Sequence, residues 1–328
     1  MLETKVFAQG GGGGGVGGNL QDKKEKDDKK VQKPKQQTKP RRKKQGSIHQ
    51  NPTDPVMIID QSYYLFYRYY ALQRWYSLSQ NRMVNAEDVL GDTLFMEKFT
   101  DLYKRSIDKL CKKYKVREDR VVLALDCDRK SIWRNEFYGE YKSSRSQPSN
   151  FDPKIFGHVI NEIIPSMTKI KSIYVPKCEA DDVAAVVTKY IRNTSPDTPI
   201  IIITNDKDYL QLYDEKTSII NLQNKNLGET GKYDKGETYL LHKLITGDKS
   251  DCIQPISKKG CNVAAVETYL SNPEKLEAFL QSDPSISENF EMNRRLIDMN
   301  MIPQELQVAI VEKFERLPIV LKLEESDK

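Results

Sequence analysis

Five short apolar runs punctuate the chain: Val56–Ile59, Val121–Leu125, Ser172–Val175, the four isoleucines Ile200–Ile203, and Ser218–Leu222. A run apolar at every position can be buried on both faces only as a strand covered from both sides, which is how a central strand of a parallel sheet reads. Helical periodicity fills the gaps. Tyr63, Phe66, Tyr67 and Tyr70 share one stripe of a segment running to Tyr76. Asp88 to Tyr114 reads as one long amphipathic helix with Phe95, Phe99, Leu102 and Leu110 on its core side, and Pro153 to Met167 as another. Val183, Val186, Val187, Tyr190 and Ile191 mark a buried helix. Past residue 238 the pattern is helical throughout, over Tyr239–Ile245, Asn262–Leu270, Pro273–Leu280, Glu288–Met299 and Pro303–Phe314. The expectation is an α/β fold, a central parallel sheet flanked by helices, followed by a helical extension.

The first 54 residues fit neither pattern. Gly10 to Gly18 is almost pure glycine, and Gln21 to Lys44 is nearly all Lys, Asp, Glu, Gln and Pro. Such a stretch buries too little apolar area to offset its chain entropy and reads as a disordered tail. It also distorts the net charge of +5. Residues 21 to 45 hold twelve Lys or Arg against four Asp or Glu, a balance of +8 that leaves the rest of the chain about −3. A basic tail on a slightly acidic body fits a salt-sensitive attraction to nucleic acid, and Lys39-Pro40-Arg41-Arg42-Lys43-Lys44 resembles a nuclear localisation signal. A purely solubilising tail would look the same. The five scattered cysteines include no Cys-x-x-Cys pair, which points to a reducing compartment and no structural zinc. With no signal peptide or long apolar span, a soluble intracellular protein is expected.

The chemistry concentrates where strands end. Asp60, Asp126 and Asp206 each follow an apolar run, and parallel neighbouring strands would bring them to one crevice, the usual ligand site of open α/β sheets. Asp208 stands two residues beyond Asp206. Glu179, Asp181 and Asp182 open the buried helix, where acids suit the helix dipole, although three acids in four residues exceed what a cap requires. Asp248 and Asp251 form a further pair three residues apart. Carboxylates so crowded repel one another unless a cation lies between them, and around Asp206 and Asp208 the lack of a nearby His or Cys favours Mg2+ or Mn2+ over zinc. After Asp126 the texture changes. Arg129, Lys130, Arg134, Lys142 and Arg145 alternate with Trp133, Phe137, Tyr138 and Tyr141, a mix that holds phosphates and stacks bases.

In order, Asp60, Asp126 with its Trp-Arg and Tyr-Lys-Ser-Ser-Arg, Glu179-Ala-Asp-Asp182, Thr204-Asn-Asp-Lys-Asp-Tyr-Leu-Gln-Leu212 and Gly247-Asp-Lys-Ser-Asp251 resemble the 5′-nuclease superfamily of flap endonucleases and 5′→3′ exonucleases. The closest in style are bacteriophage RNase H-type members, and the resemblance spans about residues 55 to 315. It implies a PIN-like catalytic domain over 55–235 with a basic helical arch near 128–150, and a helical DNA-binding region over 236–328. It further implies hydrolysis of phosphodiesters by two Mg2+ ions, replaceable by Mn2+, roughly 4 Å apart. Asp60, Asp126, Glu179, Asp181, Asp182 and Asp206 match the acids of the first ion; Asp208, Asp248 and Asp251 match those of the second, which Asp206 can share. Lys142 and Arg145 match the arch residues that hold the phosphate. Arg134 and Lys130 are expected to assist, and Trp133 or Tyr141 to stack on an unpaired base. The implied substrates are DNA with 5′ flaps, nicks or RNA-primed ends, acted on by a monomer, with replication proteins as partners.

Two features depart from the family. Its glycine-rich helix-hairpin-helix, which holds a monovalent cation such as K+, is replaced by Pro255 to Ala265 with the single glycine Gly260, although Lys258 and Lys259 remain for phosphate contacts. A clamp-binding tail with paired aromatics is absent from the last residues. The competing readings are a simpler PIN-type ribonuclease, which would lack the arch and the 247–251 block, and a DNA-binding scaffold without chemistry, which would be expected to have lost acids. A haloacid dehalogenase-like phosphatase requires Asp-x-Asp after the first strand, and Asp60-Gln61-Ser62 does not supply it.

Overall fold

The computed structural model describes residues 54–81, 84, 88–145, 151–229, 236–257 and 262–316. The proposed tail, its basic hexapeptide, and Lys258 and Lys259 lie outside them. Five strands form one fully parallel sheet: β1 (Val56–Asp60), β2 (Val121–Ala124), β3 (Lys171–Ile173), β4 (Ile200–Ile203) and β5 (Thr217–Ile220), in the order β3-β2-β1-β4-β5. Each expected strand is present. The chain leaves β1 toward β2 on one side and returns as β4 on the other, so β1 and β4 flank the point where strand order reverses. All five strands point the same way, which puts the carboxyl ends of β1, β2 and β4 along one edge.

The sheet is covered on both faces, which explains its unbroken apolar strands. On one face Met57, Ile59, Val121, Leu123 and Ile203 meet α1 (Gln61–Gln80) and α2 (Thr93–Tyr114). On the other, Val56, Ile58, Val122, Ile200 and Ile202 meet α4 (Ala180–Thr194), after α3 (Lys154–His158), which continues as a wider π turn over Val159–Ile163. Helices α5 (Gly236–Thr246), α6 (Val263–Ser271), α7 (Pro273–Gln281) and α8 (Pro284–Ile297) build a third apolar cluster with Ile132 and Tyr141, and α9 (Gln304–Glu315) packs on α4.

Three boundaries differ from the periodicity reading. In α1 the buried stripe is Tyr64, Leu65, Tyr69, Leu72 and Tyr76, while Tyr63, Phe66 and Tyr67 are half-buried and Tyr70 is exposed. A helix with aromatics on nearly every face offers no polar side to fix its phase, and the choice is made by edge-to-face contacts with α2, such as Tyr64 on Tyr103 and Tyr69 on Phe95. Helix α2 begins at Thr93 rather than Asp88, because the Asp92 side chain accepts the Phe95 N–H and caps it there. The 153–167 segment is interrupted by the π turn. Among the described residues no helix is long and apolar enough to cross a membrane.

Ile202 is fully buried at the centre of the sheet. Ile202→Ala should cost about 2–5 kcal/mol of unfolding free energy, read by denaturant titration; a loss below about 1 kcal/mol would show that this face is loosely packed.

Candidate active site

The carboxyl ends of β1, β2 and β4 deliver three acids to one crevice. Asp60 is the last residue of β1 and caps α1: one oxygen accepts the Tyr63 N–H at 3.0 Å and the other the Thr204 hydroxyl at 2.9 Å. Asp126, two residues past β2, accepts the Ala180 N–H at 2.8 Å and the Ser62 hydroxyl. That first contact ties the N-terminus of α4 to the end of β2, where the helix dipole favours negative charge. Asp206 caps the 3-10 turn Lys207–Leu212 by accepting the Asp208 N–H at 2.9 Å, and its own N–H donates to Thr204 at 3.1 Å. Ser62 and Thr204 thus fix the acids on three strands, two contributions the sequence reading did not include.

Around this line stand two trios whose oxygens lie within 4.8 Å of one another: Glu179, Asp181 and Asp182, and Asp208, Asp248 and Asp251. Glu179 is the cap residue of α4, and Asp182 reaches back to accept its N–H at 3.0 Å, half of a capping box. Asp248 caps the short turn Lys249–Asp251, accepting the Ser250 N–H and hydroxyl at 2.7 Å each. Gly247, at φ +68°, makes this turn possible; a Cβ there would lie 2.4 Å from the Ile253 carbonyl oxygen. All nine acids named from the sequence therefore line one region, with oxygen donors only, the donor set of a hard divalent cation.

Basic side chains thread between the acids. Arg134 is buried; its guanidinium donates to Glu179 at 3.0 Å, to both oxygens of Asp182 at 2.8 and 3.1 Å, and to the Leu296 carbonyl at 2.8 Å. Burial alone would lower its pKa, but Asp182 and the neighbouring acids raise it, so it stays charged. Trp133 Nε1 donates to Asp182 at 3.0 Å and the Tyr141 hydroxyl to Glu179 at 3.0 Å. Lys142, at φ +55°, bridges the trios: its ammonium pairs with Glu179 and lies 3.7 Å from Asp251. Arg145 pairs with Asp251, and Lys130 is exposed.

This placement corrects three expectations. Trp133 and Tyr141 are buried with their polar atoms given to the acids, so neither offers a face to a base; the exposed aromatic of the segment is Phe137. Arg134 is consumed by a buried ion-pair network rather than held for phosphate. The described part of 128–150 forms 3-10 turns, Arg129–Ser131 and Trp133–Glu136, and no α-helix. The physical reason is the same in each case: buried carboxylates need charged or donating partners, and this segment supplies them. The sequence reading also missed Lys243 and Tyr239 of α5. The Lys243 ammonium lies 3.3 Å from Asp208 and pairs with Asp248, while the Tyr239 hydroxyl donates to Asp208. A lysine in the mostly apolar stretch Tyr239–Ile245, five residues before Asp248, was the available signal.

The electrostatics divide accordingly. Burial and the Asp126 charge push Asp60 up to about 7. The surrounding protein and Asp208 push Asp206, at the solvent-reached mouth, up to about 6. Burial would also raise Glu179 and Asp248, but Lys142 and Arg134 hold the first, and Lys243 the second, below the usual carboxylate range.

Two outcomes follow. Arg134→Ala leaves the buried Asp182 without its basic partner and removes one of the two from Glu179, and should cost about 3–5 kcal/mol of stability, read by chemical denaturation; a loss under about 1 kcal/mol would mean that solvent replaces the guanidinium. Asp60 and Asp206 hold a proton more tightly in the folded chain than in the unfolded one. The stability they contribute is full below about pH 4 and is lost as pH rises through about 6 to 7. In chelator, the melting temperature should therefore fall between about pH 5 and about pH 7.5, and Asp60→Asn should flatten that fall. A melting temperature that climbs over this range would contradict the assignment.

The comparisons agree with this fold. The family model for the 5'-3' exonuclease N-terminal resolvase-like domain matches residues 55–238. The chain is 27% identical over 289 residues to a 5'-3' exonuclease of Buchnera aphidicola from Acyrthosiphon pisum, covering 82% of this chain and 92% of that one. It is 30% identical over 157 residues to DNA polymerase I of Streptococcus pneumoniae, covering 44% of this chain and 17% of the polymerase. Among solved structures, the bacteriophage T5 5'-exonuclease superposes with a TM-score of 0.55 at 19% identity, covering 80% of this chain and 98% of that one. A T5 flap endonuclease in a pseudo-enzyme–product complex with DNA and metal ions gives the same figures. The structural likeness shows the fold, and the family match over more than half of the chain shows the rest: the chain belongs to the 5'-3' exonuclease family and is a nuclease.

Proposed function

We propose that this protein is a divalent-metal-dependent 5′→3′ exonuclease and 5′-flap endonuclease that hydrolyses DNA phosphodiesters with two Mg2+ ions, for which Mn2+ can substitute. The observation that carries the reading is the pair of carboxylate trios at the switch-point edge of the sheet, joined by Asp60, Asp126 and Asp206 and containing no His or Cys. The donor set fits hard cations. Asp60, Asp126, Asp181 and Asp206 would hold the first, with Glu179 and Asp182 behind them, and Asp208, Asp248 and Asp251 the second. Bound there, the ions would acidify a water and stabilise the leaving oxygen.

The rest of the chemistry belongs to the chain. Lys142, between the two trios, and Arg145, partly open to solvent, are placed to take up the negative charge that develops on a phosphate in the crevice. The acids held low by basic partners, Glu179 and Asp248, stay ionised at neutral pH and keep the crevice geometry. Thr204 and Ser62 hold Asp60 and Asp126 in place by donating to one oxygen of each. Exposed Lys130 and Phe137 beside the site, and from the sequence alone Lys258 and Lys259, are candidate contacts to the DNA backbone and to an unpaired base. Replication or repair is the proposed setting, on DNA carrying flaps, nicks or RNA-primed ends. The relatives named DNA polymerase I and the DNA-bound T5 structure support it. A monovalent-ion site in the 255–265 segment stays a family expectation.

The test is cleavage of labelled 5′-flap and RNA-primed duplexes by the purified protein in Mg2+, beside Asp206→Asn. Cutting near the junction is expected, abolished by chelator and slowed at least about a thousandfold in the variant. Binding of both duplexes without cleavage in Mg2+ or Mn2+ would refute the proposal.

A further inference from the structure

The nine acids are not equally neutralised. Asp60, Asp126 and Asp206 accept hydrogen bonds from hydroxyls and backbone N–H groups, and Asp181 from the Asp182 N–H at 2.7 Å. Among the described residues no basic side chain stands within ion-pair distance of these four. The Asp208–Asp248–Asp251 trio is the opposite case, since each member already has a basic partner.

Lys243 stands between two members of that trio. Its ammonium reaches two acids that are 40 positions apart in sequence, Asp208 at 3.3 Å and Asp248 in a closer pair. The surroundings hold it there. Tyr239, one helical turn earlier on α5, donates to the same Asp208 oxygen, and the Lys243 ammonium lies 6.0 Å from the Tyr239 ring centre. Asp248 cannot turn away, because Ser250 binds its Oδ1 through both the N–H and the hydroxyl, which leaves Oδ2 to Lys243. The Gly247 turn, closed by paired Asp248 and Ile253 backbones, fixes the residue itself. A lysine ammonium is a compact charge on a flexible stem, about the size of a small cation and able to withdraw. Arg134, by contrast, is locked by four hydrogen bonds beside the first trio.

We propose that Lys243 competes with the second divalent cation: its ammonium occupies the Asp208–Asp248–Asp251 trio in the free protein, and a metal ion binds there only by displacing it. Loading is therefore ordered. The four acids without basic partners fill first, and the second ion enters at higher metal concentration or with the phosphate of the substrate, which offers the released ammonium a new partner. The inference rests on the two-ion reading above.

The experiment is a Mn2+ titration without DNA, following free Mn2+ by electron paramagnetic resonance and heat by calorimetry. It compares the wild type with the neutral variants Lys243→Met and Lys243→Gln and with the charge-retaining Lys243→Arg, each first checked for wild-type circular dichroism. The wild type should show one tight and one weak site. Lys243→Met should tighten the weak site by roughly tenfold or more while leaving the tight one in place, and Lys243→Arg should not tighten it. Lys243→Gln provides the same reading if the methionine variant misfolds. Two wild-type sites, with the weak one unchanged or weaker in the neutral variants, would overturn the competition but leave the two-ion reading standing. A single site in every protein, indifferent to Asp248→Asn, would overturn both.

Discussion

Nine carboxylates share one crevice, and the repulsion among them is the constraint that the surrounding structure answers. At the effective dielectric of a protein surface, two unit charges 4 Å apart interact by about 4 kcal/mol. The fold offsets such terms in three ways. It points the N-terminus of α4 at the cluster, so that the Ala180 N–H meets Asp126. It aims hydroxyls from Ser62, Thr204 and Tyr239 at individual oxygens. It also threads Arg134, Lys142, Arg145 and Lys243 between the acids. With all nine acids ionised the four cations would leave five negative charges unmatched, and the raised pKa values of Asp60 and Asp206 are the sign of that excess, which marks a site built to receive cations rather than a finished ion-pair network.

The sheet makes this crowding possible. Parallel strands release their chains at one edge, and because β1 stands between β2 and β4, the acids following these three strands are neighbours by construction. The isoleucines of β4 and the apolar residues of β1 are buried between helices on both sides, so the acids at their ends rest on a rigid base. Strand register and carboxylate position are thus one property: slipping β4 by a residue against β1 would carry Thr204, and Asp206 two residues beyond it, away from the Asp60 oxygen that Thr204 binds.

That coupling explains what could be read from the chain. Strands were legible because four consecutive isoleucines allow only one environment, and the acids were legible because they directly follow such runs. The phase of α1 was not, because Tyr63 to Tyr70 are aromatic on nearly every side and the buried face is chosen by α2, some 30 residues away. Arg134, Trp133 and Tyr141 read as a nucleic-acid surface because basic and aromatic residues alternate there. Their partners, Glu179 and Asp182, lie more than 35 positions downstream, and no local pattern reveals that the segment folds inward. The role of Lys243 was missed for the same reason, since its pairing with Asp208 depends on how α5 docks against the Lys207–Leu212 turn.

The fixed cations also bear on how a polyanion can enter. A phosphodiester approaching the unloaded crevice meets the unmatched negative charge, and the long-range field there repels it. Lys142 and Arg145 alone do not reverse that sign, because both are already paired with acids. Two divalent cations, on the proposed reading, would bring the cluster close to neutrality and free part of the charge of Lys142 and Arg145 for the phosphate. Metal and DNA would then bind cooperatively through charge alone, each raising the affinity of the other by the same factor. Lys243 fits this arrangement: on the proposed competition its ammonium would offset part of the charge of Asp208 and Asp248 until the metal displaces it.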